Sequence, residues 1–368
     1  MDDYERPLFF HLMEYAAEAD GDVVDMVSGN PDWEPPEAIR TGLKRYADSG
    51  VDAFQYPPSD GLSDLRAAVA DRHGVDVDRV VVTNGAGEAN YLAMATALEA
   101  GPADGVLMAD PVYPYYHKRA RMLGGTPRFV PSEPDGTLDP AAVRRAASED
   151  TAAIVVNSPN NPTGGVYGGE TKRDIAAVAD ANDALLISDE VYERFVYDEG
   201  AFETALAADS DRVVVTNAFS KSMAITGFRV GYGIFPPRLA EAVRTRHMLV
   251  NVAGSRPAQR AVLDALEQTP ESYYERNRKL LEERIETFCA ALEAAGAAYT
   301  RPQGGFYVMA RFEGYPGTLE NTERLIDEAG VAGMPGDAFG ESRAEWLRFA
   351  VVTPRAEEAA ERLAAYFG

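Results

Sequence analysis

An amine, a carboxylate, a carboxamide and a guanidinium fall at the ends of successive apolar runs in this chain. Lys221 is one of only five lysines among 368 residues, and it directly follows the β-rich run RVVVTNAFS (212–220). Arg229 comes eight residues later, in the glycine-containing TGFRVGYG. A partly buried amine near another cation loses proton affinity and becomes a nucleophile able to form a Schiff base. Asp189 follows the apolar start of ISDEVYERF (187–195), with Tyr192 three residues on. Alone, such an aspartate is equally a helix N-cap or a salt-bridge partner. Placed beside a cationic ligand atom, it would stabilise that charge. NSPNNPTG (157–164) follows the strand-like AAIVV. Asn, Pro and Gly are common turn formers, yet the amide of Asn161, fixed between prolines, is also a rigid hydrogen-bonding group.

These groups need a scaffold. RVVVTNG (79–85), GVLMADP (105–111), AAIVVNSP (152–159), ALLISDEVY (184–192), RVVVTNAFS and GFRVGYGIF (227–235) alternate with amphipathic segments such as TKRDIAAVADAN. The alternation predicts an α/β fold, a mostly parallel sheet flanked by helices on both faces. Ligands of such sheets lie at the carboxyl ends of the strands. The polar punctuation falls there: Asn84-Gly85, Asp110-Pro111, residues 157–164, Asp189-Glu190 and Ser220-Lys221. After Arg260 the pattern turns to long helices, as in RNRKLLEERIETFCAALEAAG, and then to short strands, GGFYVMARF and EWLRFAVV. The reading predicts a large domain over 46–260 and a smaller α+β domain made from 1–45 and 261–368. The cleft between them is the expected place for a site.

A Schiff-base lysine with an acidic partner for a pyridinium nitrogen is the arrangement of pyridoxal phosphate (PLP) enzymes. NNPTG, SDEVY and SK-x7-R occur here in that order. On these motifs the chain resembles the PLP-dependent class I/II aminotransferases of fold type I, the aspartate aminotransferase superfamily, over almost its whole length. The resemblance implies that Lys221 carries the cofactor and that Asp189 pairs with its pyridine nitrogen. It implies that Asn161 and Tyr192 bond the phenolic oxygen, and that Ser220 and Arg229 lie at the phosphate. TNGAGEA (83–89) is similar to the family's phosphate loop, with Gly85, Ala86 and Gly87 at a helix N-terminus suited to an anion. Tyr113, in DPVYPYY, stands where the family stacks an aromatic ring on the cofactor. Tyr56, in FQYPPSDGLSDLR, stands where a tyrosine reaches the neighbouring subunit's phosphate, which implies a homodimer with shared sites. Gly29 and Asn161 are implied at the substrate, and Arg348 at its α-carboxylate through a bidentate fork. One position departs from the pattern: Ala218 stands where the family often has a hydroxyl residue touching the phosphate, so weaker cofactor retention is expected.

The implied activity is amino transfer between an L-amino acid and a 2-oxo acid, with aspartate or an aromatic amino acid and 2-oxoglutarate as leading pairs. PLP-dependent β-elimination, decarboxylation or racemisation would share the same motifs. Arg246, His247 and Arg256 are candidates for a distal carboxylate; Phe10, Trp33 and Tyr113 are candidates for an aromatic pocket. A rival reading takes GAGEAN (85–90) and Asp110 as a dinucleotide fingerprint, but leaves Asn161, Asp189, Lys221 and Arg229 without a task. A regulatory module of this fold would carry a DNA-binding domain, and the sequence suggests none.

Composition narrows the partners. The chain has 59 acidic against 35 basic residues, a formal net charge of −24. Such a surface repels nucleic acid and anionic membranes, and its scarcity of lysine resembles salt-adapted proteins, so a halophilic source is expected. The single cysteine, Cys289, lies in a helical pattern and reads as a buried structural thiol. Four scattered histidines without HExxH give no metal site. The acidic start MDDYERPLFF is unlike a signal peptide, and a cytoplasmic protein is expected.

Overall fold

The computed structural model describes residues 7–198 and 200–368; the first six residues of the acidic N-terminal stretch lie outside them. Among the described residues, seven strands form one sheet: β1 Val80–Thr83, β2 Gly105–Asp110, β3 Thr126–Pro131, β4 Thr151–Asn157, β5 Leu185–Asp189, β6 Val213–Ala218 and β7 Gly231–Ile234. Their spatial order is β1-β7-β6-β5-β4-β2-β3. Six of these strands run one way, and β7 is antiparallel to both its neighbours.

The apolar runs are continuous because both faces of the sheet are covered. Side chains alternate across it with period two. Val80, Val82, Leu107, Ile154, Leu186 and Val215 join one apolar cluster, together with Leu65, Ile175 and Val262 from helices Ser63–His73, Gly169–Ala181 and Arg256–Gln268. Val81, Val106, Val155, Ile187 and Val214 join the other, with Leu92 of helix Ala86–Glu99 and Val243 of helix Pro237–Asn251. Only Val130 is buried in the edge strand β3, which explains why its sequence, TPRFVP, carries no strand-like alternation. Proline is tolerated at such an edge because no ladder donor is required there.

A second, antiparallel sheet has the order Met334–Pro335, Leu347–Ala350, Tyr307–Arg311, Ala298–Thr300. Helices Glu271–Ala294 and Ala356–Phe367 bring Leu281, Ile285, Phe288 and Leu363 into its apolar cluster. The N-terminal segment is tied in by a parallel pair, Val24–Asp25 with Val331–Ala332. The helix Glu37–Ala47 instead places Ile39 in the cluster of the large sheet.

The one reversed strand matters for the site. β7 begins where its neighbours end: Gly231 pairs with Thr83 and with Ala218. Arg229, just before β7, therefore arrives at the same edge as Lys221, just after β6. A Cβ on Gly231 would lie 2.6 Å from the Gly85 carbonyl carbon and 2.7 Å from the Asn217 oxygen, so the three chains close up only around a glycine.

Candidate active site

The carboxyl edge of the large sheet and the second sheet enclose a cleft of about 500 Å³. Gly29, Ala86, Gly87, Tyr113, Asn161, Asp189, Tyr192, Ser220, Lys221, Arg229 and Arg348 all line it, as does Ala218. Gly29 and Arg348, 319 positions apart, thus meet in one cleft.

Lys221 sits on the single helical turn Phe219–Ser222 that follows β6. Its Nζ donates to the Gly29 carbonyl oxygen at 2.9 Å. The position requires glycine, because a side chain there would collide with the Tyr307 hydroxyl. Burial pushes the Lys221 amine down from 10.5 to about 8, and the nearby guanidinium groups of Arg229 and Arg348 add to the effect.

Asp189 is the last residue of β5 and is buried. Its Oδ2 accepts from Asn90 Nδ2 and from the Tyr116 hydroxyl, each at 2.7 Å, and Oδ1 accepts from the Val191 N–H at 3.2 Å. Burial raises its pKa above the usual carboxylate range, while the Tyr116 and Asn90 donors pull it back down. Asn90 is itself held by Thr216, whose hydroxyl donates to Asn90 Oδ1 at 3.0 Å. Asn157, at the end of β4, donates from Nδ2 to the Asp189 backbone carbonyl at 3.1 Å. Its Oδ1 accepts from the Asn161 N–H at 2.8 Å, so one carboxamide fixes the 157–164 loop to β5.

Arg229 has φ of 55°, a left-handed conformation that places its side chain back across the helix turn before it. Nη1 donates to the Thr226 carbonyl at 3.0 Å and Nη2 to the Asn84 carbonyl at 3.1 Å. Gly85, itself at φ 77°, has room for this guanidinium only because it lacks a side chain; a Cβ would lie 3.0 Å from Arg229 Cζ. Arg348 comes from the second sheet and is buried over the Tyr307 ring, 4.5 Å from its centroid. It donates to the Val27 carbonyl. Tyr192 shares a 3.2 Å hydrogen bond with Tyr307. Tyr113 is stacked on Tyr115 at 4.9 Å between centroids, with an interplanar angle of 17°.

Other expected residues lie elsewhere. Tyr56 is 83% exposed and lines a different depression, with Phe54 and Arg256. Arg246 pairs with Glu99, buried His247 shares a 2.7 Å hydrogen bond with Glu88, and Arg256 donates to the Asp52 and Gln55 carbonyls. These three do not line the cleft. Phe10 does, but Trp33 packs edge-on against Phe195 instead. In the rival dinucleotide reading, Asn90 is engaged by Asp189, and the Asp110 carboxylate accepts from Ser342 and from the Glu341 backbone. Asn90, Tyr116, Arg119, Thr226 and Tyr307 also line the cleft or brace it, and the motif reading did not single them out.

The family profile described as aminotransferase class I and II matches residues 21–365. The chain belongs to this family. It is 33% identical over 354 residues to a probable aspartate/prephenate aminotransferase of Thermus aquaticus, covering 93% of this chain and 91% of the relative. The solved aspartate aminotransferase of Thermus thermophilus with maleate superposes with a TM-score of 0.91 at 29% identity, over 99% of this chain and 97% of that one. The aromatic aminotransferase of Pyrococcus horikoshii superposes with a TM-score of 0.88 at 28% identity, over 96% of this chain and 98% of that one. This aminotransferase is therefore a PLP-dependent transaminase of fold type I.

The residues present fit the cofactor. Asn161 Oδ1 and Arg348 Nε are buried polar atoms without a partner among the described residues. The side-chain-free turn at Gly85 and Gly87 leaves a cradle at the start of helix Ala86–Glu99. An amine, a carboxylate, a carboxamide and a guanidinium in one cleft could hold an aldehyde, a ring cation, a phenolic oxygen and a phosphate.

Proposed function

We propose that Lys221 carries PLP covalently and that Arg348 binds the α-carboxylate of an L-amino acid substrate. The observation that carries this reading is the Lys221 amine, held near 8 beside Arg229 and Arg348 in the cleft that Asp189 also lines. When bound, PLP supplies an electron sink for the carbanion formed at the substrate's Cα. Asp189 would hold the ring nitrogen's proton, and Asn161 with Tyr192 would bond the phenolic oxygen. Gly85, Ala86 and Gly87 would offer the phosphate their backbone N–H groups, with Ser220 and Arg229 beside them. Tyr113 would cover the ring. Lys221 Nζ, once free, would take the proton from Cα as general base and, as general acid, deliver it to the cofactor's aldehyde-derived carbon, while Arg348 and Gly29 would keep the substrate oriented.

For the side chain, we favour an aromatic substrate. Past Tyr113 and Arg348 lies an adjoining cavity of about 570 Å³ walled by Leu8, Phe9, Phe129, Met334 and Phe339. Aspartate is the second reading, supported by the names of the relatives and by Lys118 and Arg121 on the same wall. Comparing kcat/KM for phenylalanine, tyrosine and aspartate with 2-oxoglutarate as acceptor tests this. The aromatic reading requires phenylalanine or tyrosine to lead; a tenfold advantage for aspartate would reverse the order.

A homodimer is part of the proposal. Val51, Phe54, Tyr56, Leu249 and Val252 are exposed apolar or aromatic residues, and Phe54 and Tyr56 line one surface depression that a partner subunit would cover. Tyr56 would reach the phosphate end of the partner's cleft. The two-domain division at residues 46 and 260 also stays a proposal; the places of Ile39 and Val262 in the large-sheet cluster support moving the first boundary toward residue 36 and the second beyond helix Arg256–Gln268.

A further inference from the structure

Arg119 is a cation of the cleft that these roles leave unused. It lies on helix Tyr115–Met122, three residues beyond Tyr116 and so on the face that meets Asp189. Its Nη2 comes within 3.5 Å of the place a Cβ would take on Gly87. At the other end of the same turn, the Arg229 guanidinium packs against Gly85. Two guanidinium groups therefore flank Gly85-Ala86-Gly87, and the missing side chain at Gly85 lets Arg229 approach.

Arg119 differs from its counterpart in one respect. Arg229 already donates to two carbonyls, whereas among the described residues the Arg119 side chain has neither a hydrogen-bond acceptor nor an ion-paired carboxylate. Burial lowers its pKa, which marks an unfavourable place for a lone cation. A chain with 59 acidic residues against 35 basic ones has no shortage of carboxylates to pair with it. At the same end of the cleft, Ala218 and Gly87 offer no side-chain donor. A guanidinium held there with no direct ion pair, the Asp189 carboxylate acting on it only at longer range, is suited to an anionic ligand.

We propose that Arg119 is a second phosphate-binding cation, closing the side of the helix N-terminus opposite Arg229. The inference rests on the PLP reading of the site. The competing role is through Asp189, whose ionised form Arg119 also favours; that role acts on the ring, not on the phosphate.

The experiment compares PLP retention by wild-type, Arg119→Met and Arg119→Lys holoenzymes, followed by cofactor absorbance after dilution with and without inorganic phosphate as competitor. Loss of one charge-assisted contact should weaken PLP binding about tenfold or more. The lysine variant should fall between, and phosphate should speed release less in the methionine variant than in wild type. Binding of pyridoxal, which lacks the phosphate, should change less than twofold. Equal PLP affinity in wild type and Arg119→Met overturns the inference, as does an equal loss for pyridoxal and PLP, which would assign Arg119 to the ring. If Arg119→Met does not fold, Arg119→Gln and Arg119→Lys carry the same comparison. A wild-type chain that binds no PLP overturns the reading of the site itself; an unchanged variant of a PLP-binding chain overturns this inference alone.

Discussion

Lys221 should titrate far below an ordinary lysine once the cofactor is removed. Its amine is lowered from 10.5 to about 8, with burial as the larger cause and Arg229 and Arg348 adding like-charge repulsion. At pH 7.5 a group with pKa 8 is about one quarter neutral, against about one part in a thousand at 10.5, so the reactive fraction rises roughly two hundredfold. The assay is limiting reductive methylation of the cofactor-free protein across pH, with the Lys221 peptide quantified by mass spectrometry. The midpoint should lie near 8. Arg348→Met should raise it, but not as far as 10.5, because the burial contribution stays. Linkage gives a second readout. Between about 8 and 10.5 the unfolded chain holds a proton on this amine that the folded chain has lost, so the group adds stability as pH rises through that window. Lys221→Met should remove that part of the pH dependence of Tm. A wild-type midpoint at 10 or above, or one unmoved by loss of either arginine, would refute the reasoning.

Other residues give sharper local tests. Tyr116→Phe removes a 2.7 Å donor that favours ionised Asp189, so the acidic limb of the kcat/KM profile should move up by about one pH unit; an unmoved limb would show that Asp189 does not control it. Arg348→Lys keeps the charge but loses the planar fork, and should raise KM for the amino acid by roughly 10- to 100-fold in steady-state assays, more than it lowers kcat. Gly231→Ala puts a Cβ 2.6 Å from the backbone at Gly85 and 2.7 Å from that at Asn217. Neither neighbour is a flexible side chain, so a loss of about 1–3 kcal/mol is expected, seen as a lower midpoint in denaturant unfolding.

Much of the site was legible because strand ends punctuate apolar runs with polar residues. Asp189, Asn161 and Lys221 follow uninterrupted buried strands, and their chemistry stood out against that background. Other parts depend on contacts that spacing does not encode. Asn90 looks like one polar residue in the helical run ANYLAMATAL, and its value comes from Asp189, 99 positions away. Its burial on an otherwise apolar face is the signal that could have revealed it. Tyr116 stands in DPVYPYY beside two other tyrosines, and only the helix geometry selects it for Asp189. The reversal of β7 was likewise hidden, because strand-like composition carries no direction. It is the reversal that brings Arg229 and Lys221 to one edge. His247 and Arg246 were candidates by charge, yet helix Pro237–Asn251 directs them to Glu88 and Glu99.

The central claim is that this transaminase holds its cofactor on Lys221. Borohydride reduction of the purified holoenzyme, followed by peptide mass spectrometry, tests it most directly, because the chain offers only five lysines: Lys44, Lys118, Lys172, Lys221 and Lys279. The account predicts a phosphopyridoxyl group on the Lys221 peptide alone, absent from Lys221→Ala. The label on another lysine, or on none, would contradict it.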